Sequence, residues 1–97
     1  MALFQWDENK ARSNLRKHGI SFERAIRVFN DPFRHTEQDR IEGGEVRWKT
    51  TGQVENFNIV VVAHTTWDNE QGTEVIRIIS ARKAERHERR RYEDGHF

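Results

Sequence analysis

FNIVVVAHT, residues 57–65, decides the fold. Its inner run Ile59-Val60-Val61-Val62-Ala63 is apolar at every position. An apolar run of that kind predicts a strand buried on both faces, and so a central one. Working outward, Glu45–Thr51 alternates: Val46, Trp48 and Thr50 face one way, Glu45, Arg47, Lys49 and Thr51 the other. Gly52 begins a turn, and WDNEQG at 67–72 makes the next. Thr73–Ser80 reads as a further strand, with Arg77 set among Val75, Ile76, Ile78 and Ile79. Residues 33–38 read as an edge strand. The short connections imply antiparallel neighbours.

Helices flank this sheet. Residues 7–18 form one, capped by Asp7 and ended at Gly19. Ala11, Leu15 and His18 make its expected inner stripe, with Lys10, Asn14 and Lys17 as a polar stripe beside it. Ser21 caps a second helix, whose Phe22, Ala25, Ile26 and Phe29 recur at helical spacing until Asp31-Pro32 stops it. Ser80 is expected to cap a last helix over 81–93, ending near Gly95. The predicted order is α-α-β-β-β-β-α. This is an α+β domain spanning residues 1–97, with two N-terminal helices, an antiparallel sheet of three to four strands and a C-terminal helix, all helices against one face.

Hydrophobic and charged residues each make up 34 % of the 97 residues, so the core is lean, although three Trp and six Phe give it bulk. With no cysteine, disulfides and thiolate metal sites are excluded. The N-terminus carries no signal-peptide pattern, and no apolar run approaches the roughly 18 residues that span a bilayer, so a soluble cytoplasmic protein is expected. Net charge is +1, but residues 81–97 hold six Lys/Arg against four Asp/Glu. That basic stretch suits a phosphate backbone, an acidic partner or plain solvent. The glycine-rich phosphate loop, HExxH and the nucleophile elbow are absent, and the five His lack ligand spacing. No metal site and no cofactor is expected.

Four blocks together resemble the BrnT toxin family. Phe4-x-Trp6-Asp7-x-x-Lys10-x-x-x-Asn14-x-x-Lys17-His18-Gly19-Ile20-x-Phe22 is similar to the family's opening, and Val28-Phe29-x-Asp31-Pro32 continues it. Glu45-x-Arg47 followed by Gly52 is the third block. Arg77-Ile78-Ile79-Ser80-Ala81-Arg82-Lys83-Ala84, with Glu88 and Tyr92 beyond, is the most specific. Residues 33–44 follow the pattern loosely, and no role is carried onto them. The resemblance implies a RelE-like fold and metal-independent endonucleolytic cleavage of RNA that inhibits translation. It also implies a cognate BrnA-like antitoxin with a DNA-binding domain, forming a hetero-oligomer that represses the shared promoter by contacting operator DNA through the antitoxin.

Such cleavage needs a base for the 2′-OH, cations for the charge on phosphorus and an acid for the leaving 5′ oxygen. Arg47, Arg77, Arg82 and Lys83 are candidates for the cations, because arginine grips phosphate with a planar fork. Arg82 and Lys83 are expected to open the last helix, whose amides also favour an anion. Arg77 is alternatively an ion pair crossing the sheet to Glu45. The base is either His64 or Glu45. The other readings are a strand-end histidine and a surface salt bridge. Lys49, Lys83, Arg86 and Tyr92 are further candidates for RNA contact, Tyr92 being also the packing residue of a polar helix. His18 reads chiefly as a helix cap, and Trp6 and Phe22 as core anchors. A non-enzymatic module that binds nucleic acid or protein in the same operon is the competing function.

Overall fold

The structure, a computed structural model, describes residues 2–56 and 58–95. Phe57, with which the sequence begins the central strand, lies outside them. Five strands form one sheet in the order β1-β5-β4-β3-β2: β1 Leu3–Gln5, β2 His35–Glu42, β3 Glu45–Val54, β4 Asn58–Asp68 and β5 Glu74–Lys83. The helices are α1 Glu8–His18, α2 Phe22–Ala25 and α3 Arg86–Asp94, with a 3-10 helix, Ile26–Asn30, continuing α2.

The apolar run lies in β4, with β5 and β3 antiparallel on either side, as its composition dictates. Gly43 and Gly44, both at positive φ, close the two-residue β2–β3 hairpin. One face of the sheet carries Val54, Val60, Val62, Ile76, Ile78 and Ala81 against Ile20, Phe22, Ala25 and Val28. Gly52 belongs here because a Cβ would come within 3.1 Å of the Val28 backbone oxygen and Cβ.

Several expectations change. Gly52, expected to begin a turn, lies inside β3 opposite Val60, and Trp67 and Asp68 extend β4 instead of opening the turn. A fifth strand, β1, exists and runs parallel to β5. Three residues are too short to show a period. The second helix is a single α turn, and then the chain tightens into 3-10 geometry before Pro32. The last helix begins at residue 86 instead of 81, because Ala81, Arg82 and Lys83 continue to pair with Val62, Val61 and Val60. Its cap is Glu85, in a capping box with Glu88, and not Ser80. Finally, α3 lies across the opposite face of the sheet, where Glu88 and Arg91 meet Arg82 and Glu37.

The inner stripe of α1 also differs. Leu15 is 49 % exposed, whereas Asn14 is buried. Beyond the end of β1, the edge of β5 has no strand partner. Asn14 replaces one: its amide donates to the Ala81 oxygen at 2.9 Å and accepts from the Ala81 nitrogen at 3.0 Å, and it donates to the Ile20 oxygen at 3.0 Å. Buried backbone groups must be paired, and a primary amide has the donor–acceptor pattern of a peptide.

Candidate functional site

Alternation and register place the cations. Thr51, Val61 and Arg82 form one cross-strand row, and Lys49, Ala63 and Ser80 the next. Continuing the register, Arg47 stands beside Thr65, whose partner is Arg77. Arg47, Lys49, Arg77 and Arg82 therefore rise from one face, the one opposite the apolar core. Neighbouring strands are about 4.8 Å apart and alternate residues about 7 Å apart. Small side chains, Ala63 and Ser80, floor the middle.

A cleft of about 200 Å³ opens on this face between Arg47 and Arg77, with Asp7, Lys10, Ile78 and Ile79 completing its walls. Ile79 is the extra residue where the β4–β5 register slips, and it lines the cleft together with Asp7 and Lys10 from the start of α1. Two buried polar atoms on this face have no hydrogen-bond partner among the described residues: Arg47 Nε, in the cleft wall, and Thr65 Oγ1, on the strand between Arg47 and Arg77. Buried donors without partners are rare and mark where a water or ligand group belongs.

Carboxylates balance the basic face. Arg77 Nη2 contacts both oxygens of Glu45, at 3.1 and 3.2 Å, so the ion pair across the sheet is present. Arg47 meets Glu42 at 3.3 Å. Arg82 is held by Glu88 through both guanidinium arms. That hydrogen-bonded guanidinium, outweighing burial, draws the Glu88 carboxyl down to about 2, and the same contact raises Arg82.

Other candidates lie elsewhere. Lys83, one residue past Arg82, points to the opposite face, beside Ile20, Arg24, Val54, Asn58 and Val60. Neither Arg82 nor Lys83 opens a helix; both end β5. Arg86 is exposed in the first turn of α3. The Tyr92 hydroxyl donates to Asp31, which also accepts from Phe33 N at 2.9 Å and Gln53 N at 2.7 Å. Burial, then the Asp31 contact, pushes Tyr92 up to about 12. Burial would raise Asp31, but these hydrogen bonds together hold it below its ordinary value.

His64 sits on the helix-covered face, 3 % exposed, with the whole sheet between it and the cations. Its Nε2 meets Thr50 Oγ1 at 2.8 Å, Thr50 in turn meets Thr36 at 2.7 Å, and the Phe29 ring stands edge-on to the imidazole. Burial lowers its pKa to about 4, against a smaller upward pull from the Thr65 backbone. Glu45 is the base candidate that the fold brings to the cations. Sequence reasoning missed Thr65, Ser80 and Lys10 as neighbours of this cleft. For Thr65 and Ser80 the signal was available, since each alternates with residues already singled out on its strand.

No group of three or more His, Asp or Glu among the described residues is placed to hold a metal ion. No helix among them is long and apolar enough to cross a membrane.

Residues 6–88 match the family described as "Ribonuclease toxin, BrnT, of type II toxin-antitoxin system". The chain belongs to the BrnT family. The crystal structure of the ribonuclease toxin BrnT from Brucella abortus is similar to it, with a TM-score of 0.61 at 24 % identity, over 89 % of this chain and 99 % of that one. At that identity the likeness is one of fold. No curated protein sequence matches the chain. Membership of the BrnT family makes this a ribonuclease toxin of a type II toxin–antitoxin system, and so gives it an antitoxin as partner. The matched span includes Arg47, Arg77, Arg82 and Glu45 and stops at Glu88, before Tyr92.

Proposed function

We propose that this chain is a metal-independent endoribonuclease that cuts RNA on the basic face of its sheet and thereby stops translation in the cytoplasm. The observation that carries this is the cleft between Arg47 and Arg77, whose Arg47 Nε has no hydrogen-bond partner among the described residues. A phosphodiester seated there would accept from the Arg47 and Arg77 guanidinium groups. Arg77 and Lys49 then stabilise the charge that develops on phosphorus. Glu45, already against Arg77, takes the 2′-OH proton. The 2′ oxygen attacks phosphorus, and the bond to the 5′ oxygen breaks to leave a 2′,3′-cyclic phosphate. The ammonium of Lys10, in the cleft wall, supplies the proton to the departing 5′ oxygen. Arg82, two rows along the same face, is tied to Glu88 and fixes α3 on the sheet.

The partner is a small BrnA-like antitoxin with its own DNA-binding domain. The two form a hetero-oligomer that covers the basic face and represses the shared promoter. Purified toxin incubated with a defined RNA in EDTA, with and without the product of the adjacent gene, tests the reading. Cleavage with cyclic-phosphate ends, suppressed by that product, is expected. RNA retained but uncut at stoichiometric enzyme would overturn it in favour of a binding module.

A further inference from the structure

Beside the cleft the same face turns apolar. Leu3 pairs with Val75, and Val75 with Trp67, so the three stand in one row across β1, β5 and β4. Leu3 is 53 % and Trp67 38 % exposed, while Val75 between them is buried. The apolar core lies on the other face, so this row owes nothing to it. Next to the row, the Arg77 guanidinium carbon sits 5.5 Å from the centre of the Trp67 ring. Arg77 thus touches the aromatic ring on one side and reaches the Arg47 cleft on the other.

We propose that Trp67, with Leu3 beside it, is a nucleobase site, where the base next to the cut phosphate stacks. This rests on the reading of the cleft as the phosphate site. A ligand that spans both needs a flat apolar part and an anionic part about one strand repeat away, near 7 Å. A nucleotide of single-stranded RNA has that form, and its flat part stacks on aromatic rings and guanidinium planes alike. Arg77 binds both parts: its charge serves the phosphate and its plane, with Trp67, the base. Stacking depends little on base identity, so the site selects unpaired RNA over duplex.

The test measures binding of a short single-stranded oligonucleotide, made non-cleavable by 2′-deoxy substitution at the cut site. A strand of equal length, abasic beside that phosphate, serves as control. Trp67→Ala should weaken the base-containing strand tenfold or more, roughly the worth of one stacked base. Trp67→Leu, which keeps the apolar bulk, should lose as much, and Trp67→Phe less. The abasic strand should bind wild type weakly and be indifferent to all three variants. Equal losses for both strands would mean that Trp67 merely props Arg77, and would overturn the proposal. So would unchanged RNA binding with loss of antitoxin binding, which would make the row an antitoxin contact. Failure of wild type to bind either strand would sink the phosphate reading, and this one with it. Wild-type binding of the base-containing strand, with Trp67→Ala equal to wild type on both strands, would sink this one alone.

Discussion

Arg82 and Glu88 meet fork to fork: Nη1 donates to Oε1 at 2.7 Å and Nη2 to Oε2 at 2.9 Å. Arg82 closes the last strand and Glu88 lies in the first turn of α3. The same carboxylate accepts from the Glu85 nitrogen at 2.8 Å. One carboxylate therefore caps the helix and pins it to the sheet. Bidentate charge-assisted pairs are the strong kind of hydrogen bond, and truncating one partner leaves the other half-buried charge unanswered.

Glu88→Gln should destabilise the fold by on the order of 2 kcal/mol, seen as a lower urea midpoint. The deficit should depend on pH. Glu88 sits near 2 in the folded chain against an ordinary 4.5, so its contribution is complete above 4.5 and fades as pH falls towards 2. Wild type and variant should converge across that interval. A constant gap would show that the ion pair is not its source.

His64 governs a higher interval. Its folded value is about 4 against an ordinary 6.5, so between these only the unfolded chain takes up the proton. Wild-type stability should fall as pH drops from 6.5 to 4, by on the order of 2–3 kcal/mol. His64→Gln keeps a polar contact for Thr50 and removes the titration. Its melting curves should be flatter there, and an undiminished slope would assign the effect to other groups.

Asn14→Leu keeps the branched shape but strands the Ala81 nitrogen and oxygen and the Ile20 oxygen away from water. A cost of about 2–4 kcal/mol is expected, with faster hydrogen exchange at Ala81. Asn14→Asp should also destabilise, since a carboxylate cannot donate to either carbonyl. Wild-type exchange at Ala81 in the Leu variant would refute the role of a strand substitute.

Cleavage should separate the arginines. Arg47→Ala and Arg77→Ala should each cost roughly a hundredfold in rate, about 3 kcal/mol of transition-state stabilisation, with lysine recovering only part. Their melting temperatures should stay close to wild type, because both side chains lie against exposed carboxylates. Arg82→Ala should lose stability together with activity, because it releases α3. If Arg82→Ala melts like wild type, the pinning role is wrong.

Elements with a local signal are legible in the order of the residues. The unbroken run Ile59–Ala63 predicts a central strand, and the alternation from Glu45 to Thr51 puts Arg47 and Lys49 on one face. The Asp7 and Ser21 caps stand as read, each side chain accepting from the backbone nitrogen three residues on. The other features depend on contacts between distant parts of the chain. Strand β1 exists because β5 offers it an edge, and Asn14 is buried because that edge continues past β1. Ser80 could have started a helix on propensity alone, but pairing with β4 held residues 81–83 extended and carried Arg82 to the basic face and Lys83 to the other. His64 alternates with Ala63 and Thr65, so its face was legible, but that the helices would cover that face was not. Which side of a sheet is closed depends on contacts between residues far apart in the chain, and those leave no period in the sequence.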